Sequence, residues 1–234
     1  MSTQNTKQDY ENAARKSLAA KKTLDWWCIY GISHTDAVYL ARLAGSCAKL
    51  CTTDLQLGEF LVGMETWREV RASPQHEHIE FDFKRLTREV SRNILDHAST
   101  GEGTQLDLVY KQAMLRPREY KALVGMWGKP RRLLFCLREP GSYMATVSKT
   151  RDQDLAGLQN HYLQSLEFYL KIGGDVVEHD HTRSPEAFRE LLAPLKLATE
   201  LPAPHQDASQ ETGTASEAMW EAYHKVKASA DAGH

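Results

Sequence analysis

The chain has 234 residues, of which 41% are hydrophobic and 26% charged, and its formal net charge is −2. This length suits one large domain or one domain with an appendage, and the hydrophobic content is sufficient for a packed core. No run approaches the roughly 20 apolar residues of a membrane span, and residues 1–22 lack the apolar centre of an export signal. The sequence therefore predicts a cytoplasmic protein without a membrane partner.

The cysteine content points to the same compartment. Cys28, Cys47, Cys51 and Cys136 are too few for a disulfide framework in a chain of this length, so we expect reduced thiols. Cys47 and Cys51 lie four residues apart on a predicted helix and would share a face. Without a matching cysteine pair elsewhere, buried thiols are favoured over a metal site.

Charge is distributed unevenly along the chain. Residues 1–83 have a net charge of −2, residues 84–151 of +8 and residues 152–234 of −8. Such asymmetry indicates a polyanionic partner for the basic segment. The alternative is that the basic and acidic segments complement each other within one fold.

The N-terminal region is predicted to be helical. We expect helices over 7–22, from Ser33 to about Leu50, and over 54–71, because apolar residues recur at intervals of three and four. Ser33 followed by Asp36 is typical of a capping box. An apolar run precedes Ser33 and contains Trp26 and Trp27, one expected in the core and the other against a neighbour or a partner.

The central region is predicted to contain three short helices and a β-hairpin. A short strand over 79–83 leads to helices over 84–98, 105–115 and 117–127, the last with Pro117 in its first turn. Alternating apolar residues on either side of Glu139-Pro140-Gly141-Ser142 predict a hairpin over 131–149.

The C-terminal third returns to helical spacing. Helices are predicted over 152–172 and 184–198, followed by a flexible linker and a last amphipathic helix over 215–230. The predicted fold class is mainly α with a small β component, a helical domain with a basic three-helix unit and a β-hairpin. The predicted regions are an N-terminal helical region (1–72), a basic helix-turn-helix and hairpin region (73–151), C-terminal helices (152–200), and a linker with the terminal amphipathic helix (201–234).

The order of three helices and a hairpin is that of a winged helix-turn-helix, in which the helix before the hairpin enters the major groove. A cluster of basic residues in this region suits phosphate contacts, because each neutralised phosphate releases counterions. We therefore predict a transcriptional regulator that binds double-stranded DNA. Its recognition helix would begin with Arg116, Arg118 and Lys121, and its phosphate contacts would be Lys129, Arg131, Arg132 and Arg138.

Two other arrangements remain open. A ribbon-helix-helix would use the strand over 78–83, although its polar face would present Glu80 and Asp82 to phosphate. The runner-up function is a helical adaptor or assembly subunit, whose contacts would be Trp26 or Trp27 and a protein partner for the terminal helix carrying Trp220.

Motifs for enzymatic activity and metal binding are weak or missing. His76-Glu77-His78 and Glu178-His179-Asp180-His181 are compact, but neither has the spacing of a helical zinc motif, so exposed loop histidines are the favoured interpretation. No nucleophile elbow, Walker loop or dinucleotide fingerprint is present. The sequence predicts no enzymatic activity, no cofactor and no metal.

Arg131-Arg132-Leu133, the predicted hairpin and Thr150-Arg151-Asp152 resemble the C-terminal part of the AcaB-type regulators of conjugative plasmids and integrative elements. This resemblance implies a homodimeric, DNA-binding activator of transfer genes.

Overall fold

A computed structural model describes residues 24–53, 62–63, 89, 105–113, 115–149, 154–179, 184–198, 200 and 213–232. Within these residues the chain forms one five-stranded sheet with helices on both faces. The strands are β1 (Trp26–Gly31), β2 (Ala48–Thr53), β3 (Leu106–Ala113), β4 (Arg132–Leu137) and β5 (Asp175–Glu178). The helices are α1 (Ala37–Gly45), α2 (Pro117–Trp127), α3 (Pro140–Val147), α4 (Leu155–Ile172), α5 (Pro185–Leu191) and α6 (Glu217–Ala232).

The sheet is parallel throughout, with the strand order β2-β3-β1-β4-β5. β1 is the central strand, and its Cys28 lies opposite Tyr110 of β3 and Leu133 of β4. Parallel neighbours require crossover connections, and the helices that cross over cover the faces of the sheet. The carboxyl ends of all five strands consequently meet at one edge.

The composition of β1 explains its central position. All six of its residues, Trp26–Gly31, are buried, because helices cover both faces of the sheet. Trp26 and Tyr30 point to one face, while Trp27 and Ile29 point to the other. The indole nitrogen of Trp26 donates to the carbonyl of Gly128 (3.2 Å), which satisfies its polar atom within the core.

The two faces carry separate hydrophobic cores. On the α4 face, residues of α2, α3, α4 and α6 pack on the sheet, with Leu123, Tyr143, Tyr162 and Met219 all buried. On the α1 face, α1 and α5 pack through residues such as Leu40 and Phe188. The result is a three-layer α/β/α architecture.

The predicted fold class, mainly α with a winged-helix-like unit, is therefore wrong. Residues predicted as the helix 105–115 form β3, where Leu108 and Val109 are buried on opposite faces. The predicted hairpin is also wrong, because only its first half is a strand. Pro140 begins α3 where a turn was predicted, since proline suits the first helical position as well as a turn.

Several helices are confirmed. α2 begins at Pro117 as predicted, and Gly128 follows its last residue with φ of +82°. The ends of α4 and α6 agree with the predicted helices 152–172 and 215–230 to within three residues. α5 is shorter than the prediction of 184–198, and the predicted helix from Ser33 to Leu50 is α1 followed by β2. These helices have local end signals that do not depend on the rest of the fold.

Other predictions lie outside the described residues. They are the helices over 7–22, 54–71 and 84–98, the strand over 79–83, and most of the linker at 199–215. In the part of the chain that the structure describes, the helices are too short or too polar to cross a membrane.

Candidate active site

The faces on which the connecting helices lie identify one candidate ligand-binding place at the carboxyl edge of the sheet. β1 leads into α1 on one face, whereas its neighbour β4 leads into α3 on the opposite face. In open α/β sheets such divergence leaves a crevice outside the strand ends, and ligands bind there. The residues that follow β1, β4 and β5 therefore form the candidate site.

The loop between β1 and α1 is held in one conformation. The amide of Ile32 donates to the carbonyl of Cys136 in β4 (2.9 Å). Thr35 Oγ1 donates to the carbonyl of Ile32 (3.0 Å) and accepts from the amide of Ala37 (3.4 Å). His34 has φ of +55°, and its side chain is exposed. A left-handed backbone is uncommon for residues other than glycine and is frequent at functional sites.

This loop has the length of a phosphate-binding loop but not its chemistry. Such loops read Gly-x-x-x-x-Gly-Lys-Ser/Thr between a strand and a helix. Here Gly31 occupies the first position, and Asp36, Ala37 and Val38 replace the second glycine, the lysine and the hydroxyl residue. The carboxylate of Asp36 at the N-cap of α1 would repel a phosphate group. The loop therefore does not provide a nucleotide triphosphate cradle of this type.

Arg138 ties this loop to the end of β4. Its side chain is buried; Nε donates to Ser142 Oγ (3.0 Å) and Nη2 to Thr146 Oγ1 (2.8 Å), both on α3. Nη1 donates to the carbonyl of His34. The carbonyl of Arg138 itself accepts from the hydroxyl of Tyr162 on α4 (2.6 Å). Arg138 thus fixes the loop carrying His34 against α3.

Asp36 and His179 form a carboxylate–imidazole pair at the crevice. Asp36 Oδ1 lies 3.0 Å from His179 Nδ1, and the two side chains are 11% and 8% exposed. The amide of His179 donates to the carbonyl of Leu137 at the end of β4 (2.6 Å), which places the imidazole beside that strand. His179 Nε2 is buried and has no hydrogen-bond partner among the described residues. Asp36 orients the ring and favours the tautomer with the proton on Nδ1, which leaves Nε2 as a base.

The residue before His179 is fixed by the C-terminal helix. Glu178 accepts hydrogen bonds from the hydroxyl of Tyr223 and from Lys227 Nζ (2.6 Å), both on α6. Burial, together with the hydrogen bond to Glu178, raises the pKa of Tyr223 above its usual range. Tyr223 therefore remains a hydrogen-bond donor to Glu178 at neutral pH, and this end of β5 is held on the side facing α6.

The residues predicted to bind DNA do not share one surface. Arg131 pairs with Asp25 (2.8 Å), and Arg132 pairs with Asp175 (2.7 Å) and lies over the ring of Trp27. Both arginines lie at the amino edge of the sheet, while Arg138 and Arg116 lie at the carboxyl edge. Arg118, Lys121 and Lys129 are exposed on α2 or just after it. The basic segment is thus distributed over both edges, and part of it pairs with acidic residues of the same fold.

The surfaces predicted for the runner-up adaptor are not available either. Trp26 and Trp27 are 0% and 1% exposed. The terminal helix α6 packs on α4 and α3 of its own chain, with Met219 and Val226 buried, and is therefore not a free docking helix. Of the predicted histidine clusters, the structure describes Glu178 and His179, while His76-Glu77-His78 lies outside it. In the described parts of the chain, no group of three or more histidine, cysteine or acidic side chains is placed to hold a metal ion.

No protein family matches the chain, and no curated protein matches its sequence. Its structural neighbours include kinases. A sugar kinase from Janibacter sp. is 13% identical with a TM-score of 0.42, and the match covers 74% of this chain and 94% of the kinase. Shikimate kinase from Bacteroides thetaiotaomicron is 13% identical with a TM-score of 0.35, and the match covers 73% of this chain and 99% of the kinase. These values indicate a distant likeness of architecture, with no activity carried over.

The prediction of a non-enzymatic regulator of transcription that binds double-stranded DNA is therefore wrong. The fold is a parallel α/β sheet and not a winged helix-turn-helix, and the predicted contact residues lie on different edges of that sheet. The resemblance of residues 131–152 to AcaB-type regulators stays a prediction, because no such protein is among these matches. The sequence signal for the candidate site is the run Glu178-His179-Asp180-His181, but the prediction of exposed loop histidines is wrong for His179, which is 8% exposed. Its partner Asp36 is 143 residues away in the chain.

Proposed function

We propose that the protein is an enzyme that acts on a small molecule at the carboxyl edge of its sheet, with His179 as the acid–base group. The observation that carries this proposal is the pair of Asp36 and His179 at the crossover crevice, joined at 3.0 Å and almost fully buried. Catalytic histidines require an oriented ring and a second nitrogen directed at the reacting group. In His179, Asp36 holds Nδ1, and Nε2 is left without a hydrogen bond within the described chain.

The reaction class follows from what the crevice provides. It offers a base at His179, an exposed imidazole at His34 and a loop fixed by Arg138. The loop between β1 and α1 lacks the lysine and the hydroxyl residue that would bind nucleotide phosphates and magnesium. Proton abstraction or general-base activation of a hydroxyl group or of water therefore fits the site better than transfer of a nucleotide phosphate bound in this loop. Substrate binding must rearrange the side chains that enclose Nε2.

Replacing the pair tests the proposal. We expect His179→Gln to lower kcat/KM by about 100-fold or more, because positioned acid–base groups contribute on this scale. Asp36→Asn should also lower it, since the amide cannot stabilise a protonated imidazole as a carboxylate does. The substrate is found by incubating the purified chain with defined mixtures of sugars, nucleosides and organic acids, and following each compound by mass spectrometry.

His224→Gln is the matched control, because His224 is exposed on α6 and stacks on Trp220. Circular dichroism melting of each variant separates loss of activity from loss of the fold. Conversion of a compound by the wild type and by His224→Gln, but not by folded His179→Gln, supports the proposal. Absence of conversion across the mixtures, or equal conversion by His179→Gln, contradicts it.

We further propose that the protein works in the reducing cytoplasm, which its four free cysteines support. Burial raises the pKa of the Cys28 and Cys51 thiols, so little reactive thiolate forms at pH 8. In protein purified without reductant, we expect a thiol reagent to count four thiols after unfolding. In the native state the partly exposed Cys51 should react before the other three thiols, which are buried. Fewer than four thiols after unfolding would contradict the proposal.

A further inference from the structure

A cavity of about 450 Å³ opens between α4 and the loop that joins β3 to α2. It shares no residue with the pair of Asp36 and His179. Its volume lies within the range of small-molecule sites, which is about 300–1,000 Å³. The α4 wall of the cavity belongs to the packed core, since Phe168 of α4 packs edge-on against Tyr30 of β1 (5.4 Å between ring centroids). The cavity is therefore a feature of the packed fold.

The buried part of the lining is apolar with one hydroxyl. Leu115 and Phe168 are each 2% exposed, and both belong to the core on the α4 face. Ser165 is 5% exposed, and its hydroxyl donates to the carbonyl of His161 (3.0 Å). The Ser165 oxygen can consequently accept a hydrogen bond from a ligand. A compact apolar group suits this floor.

The exposed rim is mainly cationic. Arg116, Lys171 and His161 lie on it, opposed by the single carboxylate of Glu167. Lys171 makes no ion pair with the described residues, and its ammonium group is exposed on α4. A lysine in this position can move to meet an anionic group at the mouth of the cavity.

Arg116 is positioned by a chain of buried hydrogen bonds. Glu119, which is 2% exposed, accepts from the Arg116 amide (3.0 Å) and lies 3.2 Å from Arg116 Nε. Gln112 donates to the same carboxylate (2.9 Å) and accepts from the hydroxyl of Tyr110. The side chain of Arg116 is nevertheless 67% exposed, so it reaches the rim while its base is anchored. This anchoring reduces the entropy cost of a contact with a ligand.

We propose that this cavity binds a small organic anion, with its apolar body on Leu115 and Phe168 and its carboxylate or phosphate group between Arg116 and Lys171. The floor excludes a fully polar ligand, because its buried surface offers only the Ser165 hydroxyl. The rim favours an anionic group because Lys171 makes no ion pair with the described residues and Arg116 is exposed, although Glu119 offsets part of the Arg116 charge. This inference does not depend on the proposed catalytic pair.

Phenyl phosphate is a suitable probe, since it combines a compact ring with a phosphate group. We expect it to raise the Tm of the full chain in a concentration-dependent manner, and phenol and inorganic phosphate at equal concentration to do so much less. Lys171→Gln should weaken phenyl phosphate binding about 10-fold by calorimetry, because it removes a charge-assisted hydrogen bond. Benzoate distinguishes a site for phosphate esters from one for carboxylates.

Lys121→Gln is the matched control, since Lys121 is exposed on α2 and does not line the cavity. Binding that Lys171→Gln weakens and Lys121→Gln retains supports the proposal. Three results would overturn it, namely equal weakening by both variants, equal effects of phenyl phosphate and inorganic phosphate, and no binding of either phenyl phosphate or benzoate at millimolar concentration. Lys171 is exposed, so neither substitution is expected to impair folding.

Discussion

Gly31→Ala is expected to destabilise the protein by about 4 kcal/mol, through backbone strain and overpacking together. Gly31 has φ of +133°, a conformation that side chains rarely adopt. A Cβ atom at this position would lie 2.8 Å from the backbone nitrogen of Cys136 and closer still to its carbonyl oxygen. That carbonyl accepts from the amide of Ile32, so neither strand can move without breaking a hydrogen bond. The methyl group would force β1 and β4 apart where the candidate site begins.

The measurement is urea unfolding followed by circular dichroism, with the free energy obtained by linear extrapolation. Gly125→Ala is the control, because Gly125 lies within α2 and a Cβ atom there would meet open space, with no neighbouring atom within 4 Å. That variant should be more stable by about 0.5–1 kcal/mol, since alanine favours the helix. Similar free energies of unfolding for Gly31→Ala and Gly125→Ala would show that β1 and β4 are not packed as closely as described.

Elements whose ends are marked by nearby residues were predicted correctly, whereas an element that depends on distant parts of the chain was not. α2 and α4 have local ends, a proline at the start of the first and a glycine with positive φ after each, so sequence reasoning finds them. β3 has no such signal. Leu108 and Val109 are buried on opposite faces, so the strand lacks the alternation that marks a half-buried strand, and its run resembles that of a buried helix.

For a related reason, the sequence indicates the two residues of the candidate site separately but does not indicate their contact. Asp36 is recognisable in the sequence as part of a helix start, and His179 as one of two closely spaced histidines. What makes them a site is their contact, and this depends on the order of the strands. Crossovers place β4 between β1 and β5, and this order brings Asp36 and His179, which are 143 positions apart, to the carboxyl edge of the sheet. Local patterns in a single sequence do not encode that order.

Arg138 gives the last test, because the sequence assigned it to phosphate and the structure places it in the interior. Its side chain is 2% exposed and donates to Ser142, Thr146 and the carbonyl of His34. We expect Arg138→Met to lower the free energy of unfolding by about 3 kcal/mol, since it leaves these acceptors without their charged donor. Arg138→Lys keeps the charge but lacks the planar guanidinium group that reaches three acceptors. Its free energy of unfolding should therefore fall by roughly half as much.

Arg118→Met is the matched control on the same urea scale. Arg118 is exposed on α2, and its replacement should change stability by no more than about 0.5 kcal/mol. Hydrogen exchange should in addition show faster exchange of the Ile32–Ala37 amides in Arg138→Met, because Arg138 holds this loop through the carbonyl of His34. Equal stability of the Arg138→Met and Arg118→Met proteins would contradict a buried Arg138. It would also remove the reason for a rigid loop beside Asp36, on which the orientation of His179 depends.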